Sequence, residues 1–236
     1  MANFSVSPGV TVSEIDNTFL TGQPVQAGAA IIGPTVKGPV EVPTLVTSYA
    51  DYVNRFGDVL MSGSNTYSYL TSISAYNYFQ NGGTSLIVAR VVTGSYTPAT
   101  STTISNYLNS ASASFALETL SEGVIMNNSG SETSGSLVSG SKDNVRWEIT
   151  NSNTGSGTFN VIIRRGDDKE SNKIVLESWN NVSLDPYSSR FISKVIGDQV
   201  VEYNTVSGQV EVTTGSFVNQ SRYVRVKNVS PTPNYL

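Results

Sequence analysis

The segment from Gly28 to Pro39 has the composition of a phosphate-binding turn, because a short apolar stretch runs into a glycine-rich turn that carries a lysine. Gly33 and Gly38 have the Gly-x-x-x-x-Gly spacing of a phosphate loop, which requires Lys and then Ser or Thr after the second glycine. Here Pro39 follows Gly38, and Lys37 precedes it. A proline removes one of the backbone N–H donors that hold an anion. The pattern therefore favours a scaffold turn over a phosphate site.

Three acidic groupings could supply carboxylates for metal binding or for acid–base chemistry. The run 167–170 (Asp-Asp-Lys-Glu) lies between two strand-like segments, but it lacks the alternating ligands and the closing Glu of a calcium loop. We expect it to form a solvated hairpin tip. Glu14 with Asp16, and Glu118 with Glu122, are possible acid–base pairs. Nothing in the sequence around them predicts a raised pKa, and paired surface acids are common.

The chain contains no cysteine and no histidine. Disulfides, thiolate or imidazole metal sites and every nucleophile–histidine mechanism are therefore excluded. A serine–lysine mechanism would survive this exclusion, and Lys142 and Lys194 lie near serines, but no strained nucleophile turn accompanies them. We therefore expect no enzymatic activity, no cofactor and no metal site.

Charge and hydropathy limit the possible partners. The net charge is −4, and the lysines and arginines are scattered, so the basic face that a nucleic-acid-binding protein needs is missing. The N-terminus has no basic and apolar leader, and the most apolar window, Leu86–Val92, is short and contains an arginine. We expect no nucleic-acid partner, no membrane insertion, and a chain that is made in a cytoplasm and stays soluble.

The order of elements predicts an α+β fold in three parts. Residues 1–22 form an extended N-terminal arm, residues 23–95 a small α/β lobe of β-α-α-β order, and residues 96–236 a mainly antiparallel β module with one or two helices and a linker-like end. The composition shifts to Ser, Thr, Asn and Gly near residue 95, which places the boundary between the lobe and the module there.

The arm has too little apolar surface to hold itself in place. Val6, Val10 and Val12 alternate weakly around Pro8 and Gly9. Such a segment can form a strand only by docking on a sheet edge, either its own or that of a neighbouring molecule. The other interpretation is a frayed terminus.

The lobe is predicted from local signals. Residues 29–33 form a buried strand, residues 42–46 a short extended piece, and residues 85–92 a second buried strand. One helix begins at its cap Ser48 and ends at Gly57. A second helix is predicted over Thr66–Asn81, and a crossover of this order joins parallel strands. The second helix has an apolar stripe of Tyr69, Leu70, Ile73 and Tyr76, which we expect to form core or a subunit contact.

The module is predicted from short strand-like runs separated by Gly- and Asn-rich turns. These runs cover residues 114–120, 144–150, 158–165, 174–178 and 200–203. A helix is expected to begin at Asp185, with Pro186 in its first turn, and to continue to Gly197.

Five blocks of the chain, in order, resemble the tail sheath proteins of contractile-tailed bacteriophages. The first is the Pro-Gly-Val motif and acidic residue within 7–14, and the second is the glycine-proline turn and helix end within 33–57. The third is the helix, double glycine and strand within 76–92. The last two are the strand at 159–164 and, within 182–196, a helix start similar to the family's Leu-Ser-x-Asp-Pro motif. Thr11 stands where an aromatic residue is common in the family, and nothing here corresponds to the family's C-terminal lobe.

The resemblance implies a structural subunit of the virion tail. Such subunits assemble in the host cytoplasm into a helical homopolymer around the tail tube protein, contact baseplate and tail terminator proteins, and contract to drive the tube through the host envelope during genome ejection. It also implies strand exchange between neighbouring subunits. The residues to which we give this role are Val6, Pro8, Gly9, Val10, Val12 and Glu14 in the arm, with Gly22 and Pro24 as its hinge.

Other interpretations of the sequence stay open. The chain could be a sheath subunit of a phage-derived contractile injection system. A β-rich carbohydrate-binding or adhesin module would suit the half that is rich in Ser, Thr and Asn. A glycosidase that uses only carboxylates is a further alternative.

Overall fold

The structure is a computed structural model that describes residues 28–62, 64–101, 103–104, 114–122, 127–129 and 142–230. The fold is α+β, as predicted, with most strands antiparallel in small sheets. Two clusters of buried apolar side chains divide the described chain: one lies within residues 29–88 and the other within residues 104–229. We call residues 28–92 the first lobe and residues 96–230 the second lobe. Among the described helices, none combines the length and apolarity that a bilayer crossing requires.

The first lobe contains β1 (Ala29–Gly33), β2 (Thr44–Val46), α1 (Tyr49–Phe56), β3 (Val59–Ser62), β4 (Asn65–Ser68), α2 (Leu70–Gln80) and β5 (Leu86–Arg90). β1 pairs with β5 in parallel, and β2 pairs with β5 antiparallel, so the sheet order is β1-β5-β2. Both helices lie between the two parallel strands in the sequence, as the crossover prediction requires. Leu86 and Val88 of β5 are fully buried with Phe56 of α1 and Ala75 of α2, so the helices and the sheet share one core.

α1 forms where its local signals predict it. The Ser48 hydroxyl oxygen accepts a hydrogen bond from the Asp51 backbone N–H at 3.1 Å, which satisfies one of the free donors in the first turn. Gly57 ends the helix at φ 77°, where a side chain would also meet Val36. This left-handed conformation is accessible to glycine without steric cost.

α2 starts four residues later than predicted and turns the opposite face inward. Residues 65–68 pair antiparallel with β3 from Val59 to Ser62, and this pairing takes their backbone out of the helix. The buried side chains of α2 are Thr71, Ser72 and Ala75, whereas most of the predicted apolar stripe is exposed. Leu70, Ile73 and Tyr76 therefore do not form core within this chain, whereas the alternative expectation of a subunit contact stays a prediction.

The second lobe contains β6 (Pro98–Thr100), β7 (Ser114–Glu122), β8 (Asn127–Ser129), β9 (Val145–Asn153), β10 (Thr158–Arg165), β11 (Val175–Ser183), α3 (Ile192–Ile196), β12 (Val200–Asn204), β13 (Gln209–Thr214) and β14 (Val224–Ser230). Its sheets have the orders β14-β7-β6, β11-β10-β9-β8 and β12-β13. Phe115 of β7 stacks on Phe159 of β10 with their ring centroids 5.6 Å apart. The two larger sheets therefore share one core, which Ile192 and Ile196 of α3 complete.

The helix predicted from Asp185 to Gly197 is only partly present. Asp185 instead caps a turn, in which its side chain accepts a hydrogen bond from the Tyr187 N–H at 2.9 Å. The Ser183 N–H donates to the Arg190 carbonyl at 2.9 Å, and Phe191 forms a bridge with Ser183. Because this pairing to the end of β11 holds residues 190–191 extended, the helix cannot start before residue 192. The five predicted strand runs are all present, with ends shifted by up to five residues.

Candidate assembly interface

The residues proposed for strand exchange lie outside the described part of the chain. These are Val6, Pro8, Gly9, Val10, Val12 and Glu14, together with the hinge residues Gly22 and Pro24. The described chain begins at Gly28, directly before β1, and the Gly28 N–H donates to the Ser85 carbonyl at 3.3 Å. The described part of the chain therefore begins at the sheet of the first lobe.

β1 is an edge strand. It pairs with β5 on one side, and within the described residues no strand pairs with its other side. Ile32 of β1 is 74% exposed, so the prediction of a buried strand is wrong at this position and the side chain is accessible. A strand edge with free backbone donors and acceptors is a site at which a segment from another molecule can add by main-chain hydrogen bonds.

The glycine-rich turn of the first lobe is a scaffold, and its polar groups bind protein groups. The Lys37 N–H donates to the Phe56 carbonyl at 3.0 Å, and the Thr35 hydroxyl donates to the Lys37 carbonyl at 2.7 Å. The Lys37 ammonium lies 3.5 Å from a carboxylate oxygen of Asp143 in the second lobe. Burial lowers the pKa of Lys37, and Asp143 offsets only part of that effect. The turn thus connects the two lobes.

The acidic run 167–170 is neutralised by neighbouring cations. The Arg164 Nε lies 2.7 Å from Asp168 Oδ2, and both side chains are fully buried. Arg146 Nε lies 3.5 Å from the other Asp168 oxygen, and Glu170 pairs with Lys173 at 2.5 Å. The expected solvated hairpin tip is therefore wrong for Asp168. Ion pairing of this kind fixes the loop against the sheet, because a buried carboxylate without a cation would be strongly unfavourable.

Glu118 and Glu122 do not form an acid–base pair. They lie four residues apart on β7, which separates them by about 13 Å. Glu118 pairs with Arg225 at 2.5 Å and with Lys227. Burial raises the pKa of Glu122, and the hydrogen bond from the Val40 N–H offsets only part of that rise. Nothing in the sequence around Glu122 predicted this burial. The other possible pair, Glu14 and Asp16, lies outside the described residues.

The two lysines near serines have different surroundings. Lys194 Nζ lies 3.3 Å from the Pro186 carbonyl oxygen and 5.9 Å from the centroid of the Phe217 ring. Lys142 is exposed, close enough to Lys37 to lower its pKa. Within the described residues, no group of three or more acidic side chains is placed to hold a metal ion.

Arg90 lies at the lobe junction and was not predicted from the sequence as a functional residue. Its Nη1 donates to the Gly38 carbonyl at 2.8 Å and to the Glu122 carbonyl at 2.7 Å, and the side chain is buried. The sequence feature that could have indicated this role is the presence of an arginine inside the otherwise apolar strand β5. A buried guanidinium requires several acceptors, and here they come from both lobes.

Comparison with known proteins gives a weak structural likeness. No protein-family model matches the chain, and no curated protein matches it. Among solved structures, the chain is similar to the sheath tail protein from Desulfitobacterium hafniense, with 11% sequence identity and a TM-score of 0.36. The similarity covers 95% of this chain and 37% of that protein. A likeness at this level carries no argument about activity.

Proposed function

We propose that the chain is a structural subunit of a contractile tail sheath, which polymerises into a helical cylinder around the tail tube and contracts to drive the tube through the host envelope. The ordered sequence blocks suggest the family. The observation that carries the proposal is that β1, the first described strand after the arm in the sequence, is an edge strand with no partner on its outer side among the described residues.

In the proposed assembly, the arm of one subunit adds to a sheet edge of its neighbour. Backbone hydrogen bonds contribute roughly 1 kcal/mol each, so a pairing of a few residues is weak in isolation. Repetition of the same pairing at every subunit stabilises the polymer. The hinge at Gly22 and Pro24 lets the connected subunits rotate while the pairing persists.

The partners follow from this role. They are further copies of the same chain, the tail tube protein, and the baseplate and terminator proteins at the ends of the cylinder, in a virion tail assembled in the host cytoplasm. The subunit itself performs no enzymatic step. A phage-derived contractile injection system would use the same subunit mechanics.

Removal of the arm tests the proposal. A chain without residues 1–16 should unfold at the same temperature as the unmodified chain and should not polymerise. A matched pair of variants distinguishes the loss of strand pairing from a general effect of added negative charge. Val6→Asp/Val10→Asp/Val12→Asp places three charges on the apolar side of the arm, and Ser5→Asp/Thr11→Asp/Ser13→Asp places three charges on the alternate positions.

The apolar-side variant should abolish cylinders, and the control should retain them. Electron microscopy of the purified proteins, with circular dichroism as the check on folding, gives both readouts. Normal cylinders from the chain without residues 1–16 would refute the role of the arm.

A further inference from the structure

Helix α2 presents an apolar, uncharged face to solvent. Leu70 is 79% exposed, and Ile73 and Tyr76 are each 45% exposed. Asn77 and Gln80 continue the exposed face with neutral amides. No charged residue occurs between Asp58 and Arg90 in the sequence.

The opposite face of α2 is fixed against the sheet by small and polar side chains. The Thr71 hydroxyl donates to the Pro34 carbonyl, and the Ser72 hydroxyl donates to Asp58 Oδ1 at 3.3 Å. A Cβ at Gly33 would lie 2.6 Å from the Thr71 methyl carbon, so helix and strand approach closely. Because these contacts set the rotation of the helix, the apolar stripe must point outward.

The composition of the exposed face is that of a protein–protein contact. Interface centres are depleted in Lys, Glu and Asp and enriched in aromatic residues. Tyr67 of the preceding strand is also exposed, at 52%, and Tyr76 packs edge-on against Tyr49 at 5.0 Å, which restricts its ring. A large apolar side chain that is mostly exposed, as Leu70 is, gains stability only when another surface covers it.

We infer that this α2 face, formed by Leu70, Ile73, Tyr76, Asn77 and Gln80, is a contact surface for a second copy of this chain. Each copy carries a net charge of −4, so two copies repel each other wherever their acidic surfaces meet. An uncharged face avoids this repulsion, and its tyrosine and two amides supply hydrogen bonds to a neutral partner surface. The inference rests on the proposed function, because it assigns a subunit contact within that polymer that is separate from the arm.

Charge insertion into the α2 face tests the inference. The variant Leu70→Asp/Ile73→Asp changes two exposed positions, so we expect its unfolding temperature to match that of the unmodified chain. The control is Val206→Asp/Tyr187→Asp, which adds the same charge at two second-lobe positions that are 94% and 86% exposed. Both variants keep the arm intact. Polymer formation is measured by sedimentation and electron microscopy over a range of protein concentrations.

The protein concentration at which half of the chains are assembled should be about tenfold or more higher for the α2 variant than for the unmodified chain. The reason is that each contact then buries unpaired carboxylates. The control should assemble as the unmodified chain does. Equal assembly of all three proteins would overturn the inference and leave the proposed function standing. Absence of polymer from the unmodified chain would refute the proposed function, and this inference with it.

A third result would identify a different occupant. If the α2 variant assembles normally but unfolds at a lower temperature, the face is covered by the same chain, for which residues 1–27 are the candidate segment. That outcome also overturns the inference.

Discussion

Arg90 in the first lobe donates a hydrogen bond from Nη1 to the backbone carbonyl of Glu122 in the second lobe at 2.7 Å. The Glu122 carboxylate in turn accepts a hydrogen bond from the Val40 N–H of the first lobe at 3.0 Å. Arg222 in the second lobe also pairs with Asp51 in the first, at 3.3 Å. These contacts are polar, whereas the two apolar clusters lie inside their own lobes. Interfaces of this polar kind permit changes of orientation between the parts they join.

Replacement of Arg90 by Met should loosen the lobe junction. The carbonyls of Gly38 and Glu122 would lose their donor, and we expect a loss of about 2 kcal/mol in the free energy of unfolding. Chymotrypsin should then cut faster at Tyr96, which lies at the start of the second lobe, next to the connection between the lobes, and is 44% exposed. Arg190→Met, whose hydrogen bonds stay within the second lobe, is the control. Equal cleavage rates in the two variants would contradict the role of Arg90.

The Glu118 cluster should contribute stability that is lost in acid. Burial raises the pKa of Glu118, but Lys227 and Arg225 outweigh this effect, and the net pKa lies below the ordinary value. The folded state therefore binds this proton less readily than the unfolded state. The stabilisation is complete above the unfolded pKa, about 4.3, and declines as the pH falls below it.

Glu118→Gln should lower the free energy of unfolding at pH 7 by about 3 kcal/mol, since Arg225 loses a buried partner. The difference from the unmodified chain should shrink as the pH falls toward about 3. Urea unfolding at several pH values measures both effects, and exposed Glu202→Gln serves as the control. A difference that stays constant down to that pH would contradict the assignment.

Tyr52 should make the protein sensitive to alkali. Its ring is fully buried and stacks near Tyr49 and Phe56, and burial raises the pKa of the phenol to about 12. An unfolded tyrosine titrates near pH 10. The folded state holds the proton to higher pH, so stability is retained below about pH 10 and falls by about 2 to 3 kcal/mol as the pH rises to about 12.

Tyr52→Phe removes the titrating group and should reduce this loss. Urea unfolding at pH values between about 9 and 11 measures the slope of the free energy of unfolding against pH. Tyr187→Phe, at a position that is 86% exposed, should leave the slope unchanged. The prediction fails if the Tyr52 and Tyr187 variants have the same slope.

The cap of α1 should contribute measurable stability. Ser48→Ala removes the acceptor for the Asp51 N–H and should lower the free energy of unfolding by about 1 kcal/mol. Ser48→Asp keeps an acceptor at the same position and should be close to the unmodified chain. Urea unfolding of the three proteins distinguishes these outcomes, and an alanine variant as stable as the aspartate variant would contradict the capping role.

Elements with local signals could be predicted from the sequence. β1 has the predicted bounds of Ala29 to Gly33, and α1 follows its cap Ser48 and ends at Gly57. In both cases the residues that define the ends are neighbours in the chain. The parallel pairing of β1 with β5 followed from the order of elements.

Features that depend on distant contacts could not be predicted. The inward face of α2 is set by its close approach to Gly33, and the apolar periodicity gave the opposite face. The burial of Asp168 depends on Arg164 and Arg146 from two neighbouring strands. The strand-exchange residues of the arm stay a prediction, because they lie outside the described part of the chain.

The most direct test of the sheath proposal is negative-stain electron microscopy of the particle that contains this chain in its source. We predict long striated cylinders around a thinner tube, with some cylinders shortened and widened. Small discrete particles without a tube would contradict the proposal.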